Sequence, residues 1–262
     1  READVIARRL QSVTALTSIY AHESARALAT PATPAPEDVA RHALSPEGVF
    51  HKTVDDGGSA VFVSGAVPVD DALKDKVWRT ARLDPLMESI VATDPLITQI
   101  YLNTHDSYNR IYPFFDVLAT YPAGMNIPEY NFYYEADAAH NPDREVVWTD
   151  AYLDPAGSGW MVSAIAPVYS PDRLEGVVGI DVAVASIVDD VLDVTRTDAE
   201  LGKTAGKDVG AGKSTYPSLF GLEGAARMAR ERISRAVDAL RGAGIRSAEL
   251  EALAAYVLER GR

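Results

Sequence analysis

The stretch Trp160–Val184, WMVSAIAPVYSPDRLEGVVGIDVAV, decides the architecture of the chain. Its halves, Trp160–Tyr169 and Leu174–Val184, are rich in β-branched and small apolar residues, and Ser170-Pro171-Asp172 between them is a turn, so they read as two antiparallel strands. Side chains alternate at period two, which puts Val178, Ile180 and Val182 on one face of the second strand and Asp181 on the other, beside Val177 and Gly179. Asp181 is thus an acid within an otherwise apolar strand. A buried carboxylate there needs a partner, because an unpaired buried charge is costly. The ordinary alternative is a partly exposed residue, or one held by a backbone N–H.

Working outward, Glu145–Leu153 reads as a third strand, with Val146, Trp148, Asp150 and Tyr152 on a common face and Asp154-Pro155-Ala156-Gly157 as the turn after it. Ile97–Asn103 and Asn109–Phe114 flank the polar turn His105-Asp106-Ser107 and form a hairpin. Pro128–Ala139 and a run from about Asp70 to Ala92 read as helical, and Ser59–Val67 as a buried strand. At the start, Ile6, Leu10, Val13, Leu16 and Tyr20 recur at three- and four-residue steps without Gly or Pro, so residues 2–29 form one long helix that Pro31, Pro34 and Pro36 end. A short helical stretch comes after it. Beyond about Ala185 the pattern is helical only. The fold class is α+β: a long N-terminal helix, an antiparallel sheet with helices inserted early, and an all-α C-terminal segment.

Composition narrows the function. The 262 residues include 25 Lys plus Arg, 38 Asp plus Glu and no Cys, and 47% are apolar, enough for one or two globular domains. A formal charge of −13 offers no clustered basic face for nucleic acid. Without Cys there are no disulfides, thiolate metal sites or thiol nucleophiles. No window reaches the roughly 18 consecutive apolar residues of a membrane span. The opening Arg1-Glu2-Ala3-Asp4, with neither an initiator Met nor a signal-peptide apolar region, reads as an excised or processed piece. From Asp189 onward 12 basic and 12 acidic residues cancel, so the whole negative charge lies in residues 1–188. All three Trp precede that point as well, which marks a boundary between a domain over 1–188 and a segment over 189–262.

Tyr130-Asn131-Phe132-Tyr133-Tyr134 packs four aromatics into five positions, a composition suited to a small-molecule wall and equally to a helix burying two rings. The five His show no metal-ligand spacing, and no cofactor is expected. No Gly-x-Ser-x-Gly elbow occurs. Gly206–Ser214 imitates a phosphate-binding loop, but its required first Gly falls on Lys207 and no apolar strand precedes it.

Residues 1 to about 190 resemble the extracytoplasmic Cache sensor domains of bacterial chemoreceptors and sensor kinases. The resemblance rests on the order of Val146–Asp154, Gly159–Ser163 leading to Ala166-Pro167-Val168-Tyr169, and Glu175–Val182. It implies a PAS-like antiparallel sheet module along a long helix, with a small-molecule ligand between the sheet and the loops and helix above it. In amino-acid-binding members an Arg-x-Trp-Tyr motif starts the ligand wall, a later Tyr follows, and a strand Asp takes the amine. Carried across, Tyr133 and Tyr152 match the two Tyr and Asp181 the Asp, Phe132 stands in the Trp position, and Tyr130 replaces the Arg. The loss of Arg removes the charged fork that grips a carboxylate, which turns the expectation toward an amine or another small polar metabolite. Trp148 completes the expected wall. The resemblance also implies a membrane-anchored parent protein with this part on the periplasmic side, and a homodimer through the N-terminal helix.

The segment from Asp189 resembles the C-terminal end of short-chain polyprenyl diphosphate synthases. It carries Asp189-Asp190-Val191-Leu192-Asp193, Leu201-Gly202-Lys203, Gly206-Lys207-Asp208, Gly212–Pro217 and Gly221-Leu222-Glu223 in the family's order. In a complete enzyme such carboxylates hold Mg²⁺ on a substrate diphosphate. The facing Asp-rich helix is missing, since Asp70-Asp71-Ala72-Leu73-Lys74-Asp75 has the wrong spacing, so no enzyme is expected and Asp189, Asp190 and Asp193 are vestigial metal candidates. Ile187–Leu192 suits both families, which places the junction there. Leu222, Ile233, Val237, Leu240 and Leu253 are expected to dock on the first helix or self-associate.

Overall fold

The structure is a computed structural model that describes residues 2–186, with side chains from residue 7 onward. The expectations for the C-terminal helices, including Asp189, Asp190 and Asp193, lie outside the described residues. Backbone contacts group Ser12–Ala183 into one compact unit.

Helix α1 (Glu2–Ala29) runs as its periodicity requires. Within the larger unit it buries Val13, Thr17, Tyr20, Ser24 and Ala27, a stripe stepping by four and three residues along one side. At its C-terminal end Arg79 donates to the Leu28 carbonyl at 2.8 Å, covering a carbonyl the helix cannot pair itself, and Arg82 donates to that of Pro31 just beyond the helix at 3.0 Å.

After α2 (Pro36–Ala40) come β1 (His42–Leu44), β2 (Phe50–Lys52), β3 (Ala60–Val63), α3 (Asp71–Thr80) and α4 (Asp84–Thr93). The hairpin is β4 (Ile97–Thr104) and β5 (Tyr108–Tyr112); beyond it lie α5 (Val117–Thr120), α6 (Asn131–Tyr134), β6 (Val147–Trp148), β7 (Tyr152–Leu153), β8 (Trp160–Ser170) and β9 (Arg173–Ala183). The sheet order is β1-β2-β3-β5-β4-β9-β8-β6, with β7 also pairing β8, and every pairing is antiparallel.

Three sequence expectations need correction, and two strands lie outside them altogether. The strands β1 and β2 have no counterpart among them, because three-residue strands are too short to show a period. The strand expected over Ser59–Val67 is confined to β3. Pro128–Ala139 is not one helix but a 3-10 turn at Ile127–Glu129 and the single turn α6. Glu145–Leu153 is not one strand. Trp148 faces Ala164 but Tyr152 faces Met161, so four steps on one side match three on the other and one residue is extra. The slip comes after Thr149, whose N–H donates to the Ser163 carbonyl at 2.9 Å while its hydroxyl accepts from the Ser163 N–H at 3.0 Å. Trp148 and Tyr152 therefore point to opposite faces of the sheet.

One face carries the helices. There Val61, Val63 and Tyr108 pack with Leu73 and Val77 of α3, and Trp148 donates from Nε1 to Thr14 of α1 at 3.1 Å. Arg110 on β5 lies within this face with its side chain 3% exposed. It donates to Asp84 at 2.8 Å, Ser59 at 2.7 Å, the Val77 carbonyl at 2.9 Å and the Tyr108 hydroxyl at 2.9 Å. Asp84 also accepts from the Ser59 N–H and hydroxyl, so one ion pair ties β3, β5, α3 and α4 together.

Asp84→Ala would leave the Arg110 guanidinium buried without its counter-charge and is expected to cost about 3–5 kcal/mol in urea unfolding. Arg26→Ala removes only the exposed pair with Glu23 and should change stability by less than about 1 kcal/mol in the same measurement.

Candidate functional site

The opposite face of the sheet holds a small cavity. From β4 come Tyr101 and Asn103, from β5 Asn109 and Ile111, from β7 Tyr152 and from β9 Asp181; Tyr121, Met125, Ile127 and Phe132 cover them, with Asp154 and Pro155 at one side. The free space is about 20 Å³, room for about one water molecule. Entry of anything larger therefore requires the cover to part from the sheet. No Lys, Arg or His lines this cavity.

Asp181 is 2% exposed. Its Oδ1 accepts from the Ser163 hydroxyl at 2.6 Å and from the Tyr152 hydroxyl at 3.1 Å, and these two hydroxyls lie 2.8 Å apart. No donor among the described residues reaches Oδ2. Burial pushes the Asp181 carboxyl up to about 7 and the Asp154 charge adds to the rise, while the hydrogen bonds from Ser163 and Tyr152 pull against it. Asp154 is organised by its own loop: it accepts from the Ala156 N–H at 2.9 Å, the Ser158 N–H at 3.1 Å and Gln99 Nε2 at 2.8 Å.

Tyr101 is the floor. Its ring crosses Gly179 of the neighbouring strand so closely that a Cβ at Gly179 would stand 2.1 Å from the ring, so the small residue beside Asp181 is what lets Tyr101 lie there. Its hydroxyl, pushed up well above its ordinary value mainly by burial and then by the Asp181 charge, also donates to the Phe132 carbonyl at 3.5 Å. Phe132 packs on Tyr101 with ring centres 5.9 Å apart and on Tyr152 at 5.2 Å, and Tyr130 stacks behind Phe132 at 5.0 Å.

The seam between cover and sheet is polar at its outer side. Asn131 donates to the Asp150 carbonyl at 3.2 Å, and the Asp150 N–H donates to Glu135 at 3.3 Å. Partial burial and the Asp150 charge push the Glu135 carboxyl up to about 7.

Of the six residues expected from sequence, Asp181, Tyr152 and Phe132 meet at the cavity, and Tyr130 supports it from behind. Trp148 does not join them, because the extra residue before Tyr152 turns it to the helix face. Tyr133 is buried in the core beneath the cover rather than lining the cavity, and its hydroxyl has no partner among the described residues. Sequence reading missed Tyr101, Asn103, Asn109, Tyr121 and Asp154. The alternation Gln99, Tyr101, Asn103 in the hairpin is the signal that could have found the first two, since three polar-tipped side chains share one face of a strand otherwise apolar. Among the described residues no cluster of His, Asp and Glu could hold a metal ion.

Comparison with known proteins divides the chain in two. Residues 83–189 match the family model for the methyl-accepting chemotaxis protein-like first PDC sensor domain, and residues 183–249 match that of polyprenyl synthetase. The two ranges overlap at residues 183–189, beside the expected junction. Among curated proteins, geranylgeranyl pyrophosphate synthase 9 of Arabidopsis thaliana is 53% identical over 72 residues, 27% of this chain and 20% of that protein. The geranylfarnesyl diphosphate synthase of Leucosceptrum canum is 47% identical over 77 residues, 29% of this chain and 21% of that protein. The chain thus spans about a fifth of these relatives. Among solved structures, the ligand-binding domain of the Pseudomonas aeruginosa amino acid chemoreceptor PctB, in complex with L-Arg, is 17% identical with a TM-score of 0.42, covering 72% of this chain and 56% of that one. That of PctC, in complex with GABA, is 16% identical with a TM-score of 0.41, covering 72% and 62%. The chain therefore carries a sensor-like part and a synthase-like part, as its motifs indicated.

A carboxyl raised from 3.8 to about 7 on folding holds its proton in the folded state through a window where the unfolded chain has lost it. Stability is thus greatest below about pH 4 as far as Asp181 is concerned, and falls as pH rises toward 7. Asp181→Asn should flatten the wild-type loss between pH 5 and 7 by up to about 1.4 kcal/mol per pH unit in urea unfolding. Glu135 contributes in the same direction and is unchanged in that comparison.

Proposed function

We propose that residues 1–188 form an extracytoplasmic small-molecule-sensing domain of a bacterial signal-transduction receptor, a chemoreceptor or sensor kinase, and that its ligand bears an amine. The observation that carries the reading is Asp181: a carboxylate buried in the sheet, with one oxygen held by Ser163 and Tyr152 and the other left toward a cavity without any cationic side chain. An ammonium group supplies the missing charge and donors. The rings of Tyr101, Phe132 and Tyr152 give it an aromatic surround, which favours cations. A free carboxylate finds no counter-charge there, and Asp154 repels it. The match of residues 83–189 to the PDC sensor family supports the same class of function. In this reading the parent protein is membrane-anchored, although no helix among the described residues is long and apolar enough to cross a membrane.

The segment 189–262 is, in the same proposal, a polyprenyl synthase fragment without catalytic competence. The nearest substitute for the facing Asp-rich motif is committed elsewhere: Asp70 caps α3, accepting from the Leu73 N–H at 2.8 Å.

Thermal unfolding of the full chain against primary amines, amino acids and small carboxylates tests the sensor. Amines should raise the transition by several degrees at about a hundredfold excess over Kd, carboxylates should not, and Asp181→Asn should lose the response. No response in the wild type, or an equal one in Asp181→Asn, would count against the reading. Incubation with an allylic diphosphate, isopentenyl diphosphate and Mg²⁺ should yield no prenyl product.

A further inference from the structure

An amine on Asp181 accounts for one end of the cavity and leaves the far end unexplained. Asn109 lines that far end and is 4% exposed. Its Nδ2 donates to Asn103 Oδ1 at 2.8 Å, but its own Oδ1 is buried without any donor among the described residues. Burying an amide carbonyl unpaired is unfavourable, so an acceptor in that state on a cavity wall is a place for a donor from outside. The cavity accordingly has an acceptor at each end, Asp181 Oδ2 and Asn109 Oδ1. Its middle is apolar, with Ile111 and the Tyr101 ring below and Ile127 and Phe132 above.

Strand register sets the spacing. Asp181 stands opposite Gln99 and Asn109 opposite Asn103, so the two levels are four residues apart along β4 and the two residues lie on strands to either side of it. That is about 13 Å along the strand and about 10 Å across. Subtracting both side chains and two hydrogen bonds leaves roughly 6–9 Å between the ligand's terminal donors.

Resting on the amine reading of Asp181, we infer that the ligand is an elongated amine with a nitrogen at both ends, an α,ω-diamine of four to six carbons or a molecule of that plan, with one ammonium on Asp181 and the second N–H group on Asn109. The alkyl chain lies over Tyr101 and Ile111. Asp154, beside the Asp181 end, adds a second negative charge to the same cavity and no cation opposes it, which selects a doubly charged cation over a zwitterion.

Calorimetric titration of the full chain with a length-matched set separates the two ends: hexylamine, 1,6-diaminohexane and 6-aminohexanoate, with 1,4-diaminobutane as a shorter probe. The expected result is that a diamine binds about tenfold or more tighter than hexylamine, with 6-aminohexanoate weakest, since a hydrogen bond to a charged group is worth about that factor. Asn109→Ala should abolish the diamine's advantage, the ratio of diamine to hexylamine affinity measured in the same variant falling to about one. Asn109→Asp, which replaces the amide by a charge at the same place and gives up its donation to Asn103, should widen the diamine's advantage, and thermal unfolding of each variant shows whether it is folded. Equal affinity for hexylamine and the diamine in the wild type, or 6-aminohexanoate matching the diamine, overturns the two-ended ligand while the amine reading stands. Failure of every amine to bind, or binding indifferent to Asp181→Asn, overturns both.

Discussion

Burying the Asp181 carboxylate in the middle of an antiparallel sheet, with no cation beside it, is the constraint around which the cavity face is arranged. Desolvation of a lone carboxylate is expensive, and the strand answers it with hydroxyls rather than with charge: Ser163 from β8 and Tyr152 from β7 both meet Oδ1. Each needs its own support. Thr149 clamps Ser163 by two hydrogen bonds, one from its backbone N–H and one to its hydroxyl, and Tyr152 reaches the same oxygen only because the chain gains one residue between β6 and β7. Gly179 next to Asp181 then gives Tyr101 its path across the strand. Remove the carboxylate, and the hydroxyl pair, the extra residue and the glycine lose their common purpose.

The extra residue lets a short segment serve both faces of the sheet. Trp148, just before it, joins the helix face and bonds Thr14 of α1; Tyr152, just after it, joins the cavity. In a continuous strand the two would share a side, and either the helix contact or the Asp181 partner would be missing. A bulge here is part of the design of the site.

Much of this is legible in the sequence, and the rest escapes it for definite reasons. The strands Trp160–Ser170 and Arg173–Ala183 can be read because long runs of β-branched residues between turn formers leave little else for the chain to do, and the same alternation puts Asp181 on the correct face. The long helix can be read from its stripe. The break in Glu145–Leu153 cannot, because one inserted residue leaves composition and propensity untouched and is fixed only by pairing with β8. The four-aromatic run Tyr130–Tyr134 has the composition of a wall, yet a single helical turn can present only some of its rings, so Phe132 faces the cavity and Tyr133 goes to the core. Asn109 gives no signal because a polar residue flanking a hairpin turn ordinarily faces solvent, and only the cover formed by residues 121–132 makes it interior.

The strand β5 is where the two faces become mechanically one. Asn109 and Ile111 look into the cavity, while Arg110 between them holds Asp84, Ser59 and the carbonyl of Val77 on the helix side. The guanidinium is hydrogen-bonded to groups in α3, α4 and beside β3, so the β5 backbone cannot shift at Asn109 without moving or straining a network that three other elements share. Tyr20 of α1 lies close enough to this network for the Arg110 and Asp84 charges to act on its buried hydroxyl. A ligand that pulls on Asn109 therefore acts on a strand whose next residue is anchored among the helices, within reach of α1. The ion pair holds the fold together, and by its position it also ties the far end of the cavity to the helix face.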